Sequence, residues 1–223
     1  MANIGLEYGA FAARGRPRGP AAQVDFMRLV GRRAWGELPP DVRARFGHDA
    51  HRRRTAYEGT MAVRASPAGL VFAQLCRLIG TPLAPWTGED VPTTVEVYMH
   101  PDGGLVWDRT YAFEGRRPVS VASRKVMDRY GRLLEVVRGG LGMALDVTVE
   151  DRALHFRSRY YFATVAGVQL RIPSLLTPGR AHVVHADEGE GRFRFTMRFT
   201  HPLLGETVFQ DGVFRDPPQE PAP

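Results

Sequence analysis

The chain has 223 residues, with 30 Lys and Arg against 24 Asp and Glu, for a formal charge of +6. An apolar share of 43% is enough to bury a core, yet no run of about 20 apolar residues offers a membrane-spanning helix. Cys76 is the only cysteine, which excludes an internal disulfide, a cysteine zinc cluster and a CxxC redox pair.

The length suits one domain, or a small head plus one domain. The charge is uneven. Residues 1–64 hold twelve Arg against six acids, while 65–223 balance at eighteen of each sign. Lys125 is the single lysine among all the basic residues. The start, MANIGLEYGAFAARGRPRG, lacks a basic region followed by an apolar stretch, so no secretory signal is read there. A cytoplasmic protein is expected.

Residues 1–20 are rich in Gly, Ala, Arg and Pro and are expected to be a disordered basic tail. Residues 21–90 are expected to form a helical N-terminal segment. Phe26, Met27, Val30, Ala34 and Leu38 share one face of a helix that Pro39-Pro40 stops. A second short helix runs from Pro40 toward Phe46. His51 to Arg54 is a basic cluster, and Tyr57 to Ala65 has the composition of a strand. Ala68 to Ile79 reads as a helix that is apolar almost all round, so it is buried or lies against another apolar surface.

From Val91 the pattern changes to period two and keeps it to residue 215. Leu105, Trp107, Arg109, Tyr111 and Phe113 share a face; Leu133, Glu135 and Val137 share another. Leu154, Phe156, Ser158, Tyr160 and Phe162 alternate, as do Phe193, Phe195, Met197 and Phe199. Val208, Gln210, Gly212 and Phe214 close the series, and 216–223 is a Pro-rich tail expected to be disordered. About eight to nine strands joined by short turns make an antiparallel sheet that curls or closes. The expected fold is α+β, with N-terminal helices on a curved antiparallel sheet or barrel.

Arg109 interrupts an apolar face, and so does Glu135. A buried charge needs a partner or an anionic ligand. The functional reading is an Arg109–Glu135 pair inside a cavity, polarising a carbonyl or moving a proton. The bland reading is a structural ion pair, or a register one residue off. Trp107, Tyr111, Phe113, Phe156, Tyr160, Phe193, Phe195 and Gln210 are the expected lining.

Other chemistries find little footing. His182 and His185 are three apart, which on a strand sends them to opposite faces, so no metal is expected. No G-x-S-x-G, G-x-G-x-x-G or GK[ST] is present, and no cofactor is expected. The N-terminal arginines (Arg14, Arg16, Arg18, Arg52, Arg53, Arg54) lack a recognition helix beside them, so nucleic acid is not the expected partner.

FMRLVGRRAWGELPPDVRARFG, VWDRTYAF, GRLLEV, LHFRSRYYFATVAGVQLRIPSLLTP, EGEGRFRF and PLLGETVFQDGVF carry a resemblance over about Phe26 to Arg215. The chain resembles a bacterial family of uncharacterised domains, found alone or fused to saccharopine-dehydrogenase-like reductases and YndJ-type membrane proteins. Trp107, Arg109, Phe113 and Glu135 fall on typical family positions. Gln210 stands where the family tends to have tyrosine. The resemblance implies a β-rich domain that can accompany a reductase, and it names no substrate.

Two functions follow as expectations. One is a lipophilic small-molecule-binding, barrel-like protein, with cyclisation or isomerisation of a polyketide- or lipid-like substrate by Arg109 and Glu135. The other is a non-enzymatic accessory module that meets a partner reductase or an anionic membrane through the Arg-rich segment and the apolar helix.

Overall fold

A computed structural model describes residues 23–48, 54–77 and 83–217. The tail at 1–20 and the cluster at 51–53 lie outside these residues, as does the end of the helix expected to reach Ile79.

The expected helix from Ala21 to Leu38 is two helices, α1 (Phe26–Val30) and α2 (Arg32–Glu37). Gly31 separates them at φ 85, a left-handed conformation that a helix interior cannot hold. Asp25 caps α1 by accepting from the Arg28 N–H. Pro40 starts α3 (Pro40–Phe46), where its missing N–H costs nothing.

The strands are β1 (Thr55–Ala65), β2 (Gly88–Met99), β3 (Leu105–Tyr111), β4 (Val119–Met127), β5 (Leu133–Val136), β6 (Leu141–Glu150), β7 (Ala153–Val165), β8 (Val168–Ile172), β9 (Arg180–Gly189), β10 (Arg192–His201) and β11 (Gly205–Arg215). A fourth helix, α4 (Pro67–Cys76), follows β1. The sheet order is β6-β5-β4-β3-β2-β1-β11-β10-β9-β7-β8, and β6 also pairs with β7. Ten strands therefore close a ring, with β8 hanging outside it on β7. All pairings are antiparallel.

Eleven strands exceed the expected eight to nine. The two strands beyond that count are β1, which matches the strand expected at Tyr57–Ala65 within the N-terminal segment, and β8, for which no strand was expected. β1 carries Gly59 and a broken alternation, while β8 is short and almost wholly exposed. β1 lies within the segment expected to be helical, yet it is a ring strand between β2 and β11.

One end of the ring is capped by α1–α3. Phe26 and Phe46 enter it and meet Phe156 and Trp107, with ring centroids 5.1–6.2 Å apart. Such aromatic contacts add about 0.5–1.5 kcal/mol each beyond area burial. Arg45 of α3 is gripped there by Asp216 (2.7 and 2.8 Å) and Asp187 (3.3 Å). Asp216, the first residue of the expected disordered tail, is thus part of the fold, and its N–H donates to the Gly191 carbonyl at 2.8 Å.

The opposite end carries α4, β8, the 173–179 loop and the β10–β11 turn. α4 sits hard against β11. A Cβ on Gly69 would lie 1.8 Å from the Thr207 carbonyl oxygen, so only glycine permits that approach. The 173–179 loop is bolted down twice: Tyr161 donates to the Gly179 carbonyl at 2.7 Å, and the Thr207 hydroxyl donates to the Pro178 carbonyl.

Candidate functional site

A cavity of about 290 Å³ lies inside the ring, opening among α4, β8 and the 173–179 loop. Its walls are apolar: Phe72, Leu83, Met143, Phe156, Phe195 and Phe199 contribute. Four polar groups break them, namely Arg109, Ser123, Lys125 and Glu135.

Strand register brings these four together. Trp107 stands opposite Ser123, Lys125 opposite Glu135, and Glu135 opposite Met143. Directly opposed side chains on one face of a sheet touch. The Lys125 Nζ therefore lies 3.4 Å from the Glu135 Oε1, and 3.8 Å above the centre of the Trp107 ring. An ammonium over an indole face is attracted by the ring quadrupole.

Arg109 is buried as deeply, at 6% exposure, but its surroundings differ. Its guanidinium donates to the Ser123 Oγ at 3.4 Å, and its Nε has no partner. Among the described residues no acid lies within ion-pair distance of it. The expected Arg109–Glu135 pair is replaced by Lys125–Glu135, because register places the lysine, not the arginine, across from the carboxylate.

The site holds two cations and one anion, and the ionisation reflects it. Burial pushes the Glu135 carboxyl up, but Lys125 and Arg109 outweigh burial and hold it below the usual carboxylate range. Burial lowers the Lys125 ammonium; Glu135 opposes that shift, and the Arg109 charge adds to it.

The remaining expected residues divide by place. Trp107, Phe156 and Phe195 line the cavity with Arg109 and Glu135. Phe193 lines a second cavity of about 30 Å³ nearer the helices, sized for a water and not for an organic ligand. Tyr111, Phe113 and Gln210 are packed in the core away from both. Tyr111 donates to the Gln210 Oε1 at 2.9 Å and stacks on Phe113. Tyr160 is on the other face of β7. The register slips between Ala144–Tyr160 and Leu145–Ser158, leaving Arg159 as an extra residue. Beyond that bulge the alternation inverts, so Tyr161 points in, and Tyr160 packs with Phe162 and Leu134 in a separate cluster.

Ser123, Lys125, Met143 and Tyr161 were not expected. Continuing the alternation of Val119 and Val121 reaches Ser123 and Lys125, and the lone lysine was itself a signal. Tyr161 had none, since a bulge leaves no period of its own.

His185 faces inward, between Phe46 (4.8 Å) and Phe193 (4.4 Å), while His182 faces outward and meets His155 at 2.9 Å. Among the described residues no group of three potential metal ligands occurs, and no helix is long and apolar enough to cross a membrane.

No curated protein and no solved structure matches the chain. A family model described as "Domain of unknown function (DUF4166)" matches residues 38–214, which takes in β1–β10, α3, α4, all but the last residue of β11 and every polar group of the cavity. On that match, which covers most of its length, the chain belongs to the DUF4166 domain family.

Proposed function

We propose that the barrel holds one small apolar molecule whose anionic or strongly polar oxygen group rests against Arg109 and Lys125. A buried guanidinium without an acid supports this most directly. Leaving it unpaired costs several kcal/mol by desolvation, and a carboxylate supplied by the ligand removes that cost. The apolar walls accept the rest of the molecule. At about 290 Å³ the cavity is near the lower end of the range for ligand sites, about 300–1,000 Å³, which favours a compact or short-chain compound.

Binding is better supported than cyclisation or isomerisation. Those reactions need a proton acceptor, and efficient general bases sit near the working pH. Glu135 is held in the opposite direction by its two cations. The accessory-module reading through the Arg-rich segment rests mainly on residues outside the described ones.

The test is calorimetric titration with decanoic and dodecanoic acid, each against its alcohol. The acids are expected to bind at least about tenfold tighter than the alcohols, a preference worth about 1.4 kcal/mol. Arg109→Met is expected to erase it. Equal affinity for acid and alcohol, or an unchanged preference in Arg109→Met, overturns the reading.

A further inference from the structure

Eleven large apolar side chains stand exposed among the described residues, and nine of them are at the cavity end of the ring. Only Met27 and Tyr130 lie elsewhere. The nine come from α4, the β7–β8 hairpin, the 173–179 loop and the β10–β11 turn. Leu203 is 76% exposed and Leu176 is 71%. A contiguous apolar surface of this kind on a folded domain marks an interaction site.

His201 ties three of these segments together: α4, the 173–179 loop and the β10–β11 turn. Its Nδ1 accepts from the Leu203 and Leu204 N–H groups at 3.1 and 3.2 Å. Its Nε2 donates to the Leu175 carbonyl at 3.3 Å, and its ring is 6.2 Å from that of Phe72 on α4. The surface also runs into the cavity: Leu75, Ile172 and Leu176 line the opening.

Arginines stand among the leucines. Arg77 follows Cys76, Arg138 follows Val137, Arg171 lies between Leu170 and Ile172, and Arg180 follows Gly179. All four are exposed, and among the described residues none has an acid within ion-pair distance. Of the acids at this end, Glu89 and Glu206 are held by Arg64 and Arg198, while Asp90 and Glu114 are exposed and in no ion pair among the described residues.

We propose that this end of the barrel docks on an anionic phospholipid bilayer, with the leucines in the acyl boundary and the arginines at the phosphates. Leucine inserts by the area it removes from water, and each arginine near an anionic surface adds several-fold in affinity. A second copy fits poorly, since a two-fold interface would set unpaired arginines against arginines. Docked this way, the cavity opens toward the acyl layer, and an apolar ligand enters without crossing water. The docking rests on the surface alone; the traffic through the opening rests on the proposed ligand.

The test is flotation of the full chain, without added ligand, on vesicles of phosphatidylcholine alone and of phosphatidylcholine mixed with phosphatidylglycerol. Binding is expected on the mixed vesicles, several-fold above neutral ones and weakened but not abolished by salt. Leu203→Ser with Leu204→Ser, and separately Leu175→Ser, touch exposed side chains outside the cavity lining. The double variant is expected to lose at least about tenfold in vesicle affinity, while its thermal stability and decanoate binding stay unchanged. Met27→Ser, at the other end, is the control and keeps vesicle binding. Arg109→Met keeps it too, so failure of the ligand reading leaves this result standing. Three outcomes overturn the proposal: no binding to mixed vesicles, binding indifferent to the leucine variants, or a dimer in sedimentation equilibrium that those variants dissolve.

Discussion

The helix-capped end and the open end of the barrel each bury an arginine, and they treat it in opposite ways. Arg45 enters from α3 and receives two carboxylates, Asp216 and Asp187, within 2.7–3.3 Å. Burial works against its charge, but bonds to those acids raise its pKa above the ordinary arginine value. Its guanidinium also covers the Phe193 ring at 4.7 Å. Arg109 is buried in the ring wall with a serine hydroxyl as its hydrogen-bond partner, and the nearby Glu135 is bridged to Lys125 instead. The first arrangement is complete within the fold. The second leaves the Arg109 Nε without a partner. On the proposed function, the first is a structural charge and the second a receiving one.

The largest effect that can sharpen this contrast comes from acid. His185, packed between Phe46 and Phe193 beside Arg45, is driven down from 6.5 to about 3, first by burial and then by the Arg45 charge. Its folded-state pKa is depressed, so the unfolded chain binds the extra proton between those values. Stability from this group is therefore complete above pH 6.5 and is lost as pH falls toward 3, on the order of 5 kcal/mol in all. Urea unfolding at steps from pH 7 to pH 4 is expected to show the decline, and His185→Phe is expected to flatten it. An identical slope in the variant would remove His185 as the cause.

The next effect concerns Arg45 itself. Removing one member of a fully buried pair costs about 3–5 kcal/mol. Asp216 is 31% exposed, so solvent screening reduces the expected loss for Asp216→Asn to about 2 kcal/mol. Asp187 remains as the second acid. Thermal unfolding at pH 7 reads the result, and a loss too small to resolve would mean the capped end does not depend on this grip.

The smallest effect is the most telling. Arg109→Met deletes an unpaired buried charge and keeps most of its volume. Stability is expected to stay level or rise by about 1 kcal/mol, against the loss at the other arginine. A marked destabilisation would show that Arg109 is structural, and that Ser123 and the nearby Glu135 satisfy it.

Much of this was legible in residues alone. Period-two alternation marked nine of the strands, though not all of their ends, since a half-buried strand writes its two faces directly into the chain. The anomaly of Arg109 and Glu135 was visible for the same reason: each breaks a run of apolar neighbours. Lys125 was visible as the one lysine, though composition alone gave it no place. What stayed hidden was non-local. The partner of Glu135 is decided by which residue of β4 stands opposite β5. The inward turn of Tyr161 is decided by a bulge against β6. The grouping of leucines from α4, the 173–179 loop and the β10–β11 turn is decided by His201 and by Gly69, which lets α4 lie against β11.

The sequence by itself determined an antiparallel, aromatic-lined sheet with two charges on its inner face, because side-chain alternation is a property of neighbours along the chain. Only the tertiary structure decided that the sheet closes, that Lys125 takes the carboxylate and Arg109 is left bare, and that the opening is ringed by leucines. Those outcomes depend on register between strands, and a shift of one residue would turn every one of those side chains to the other face.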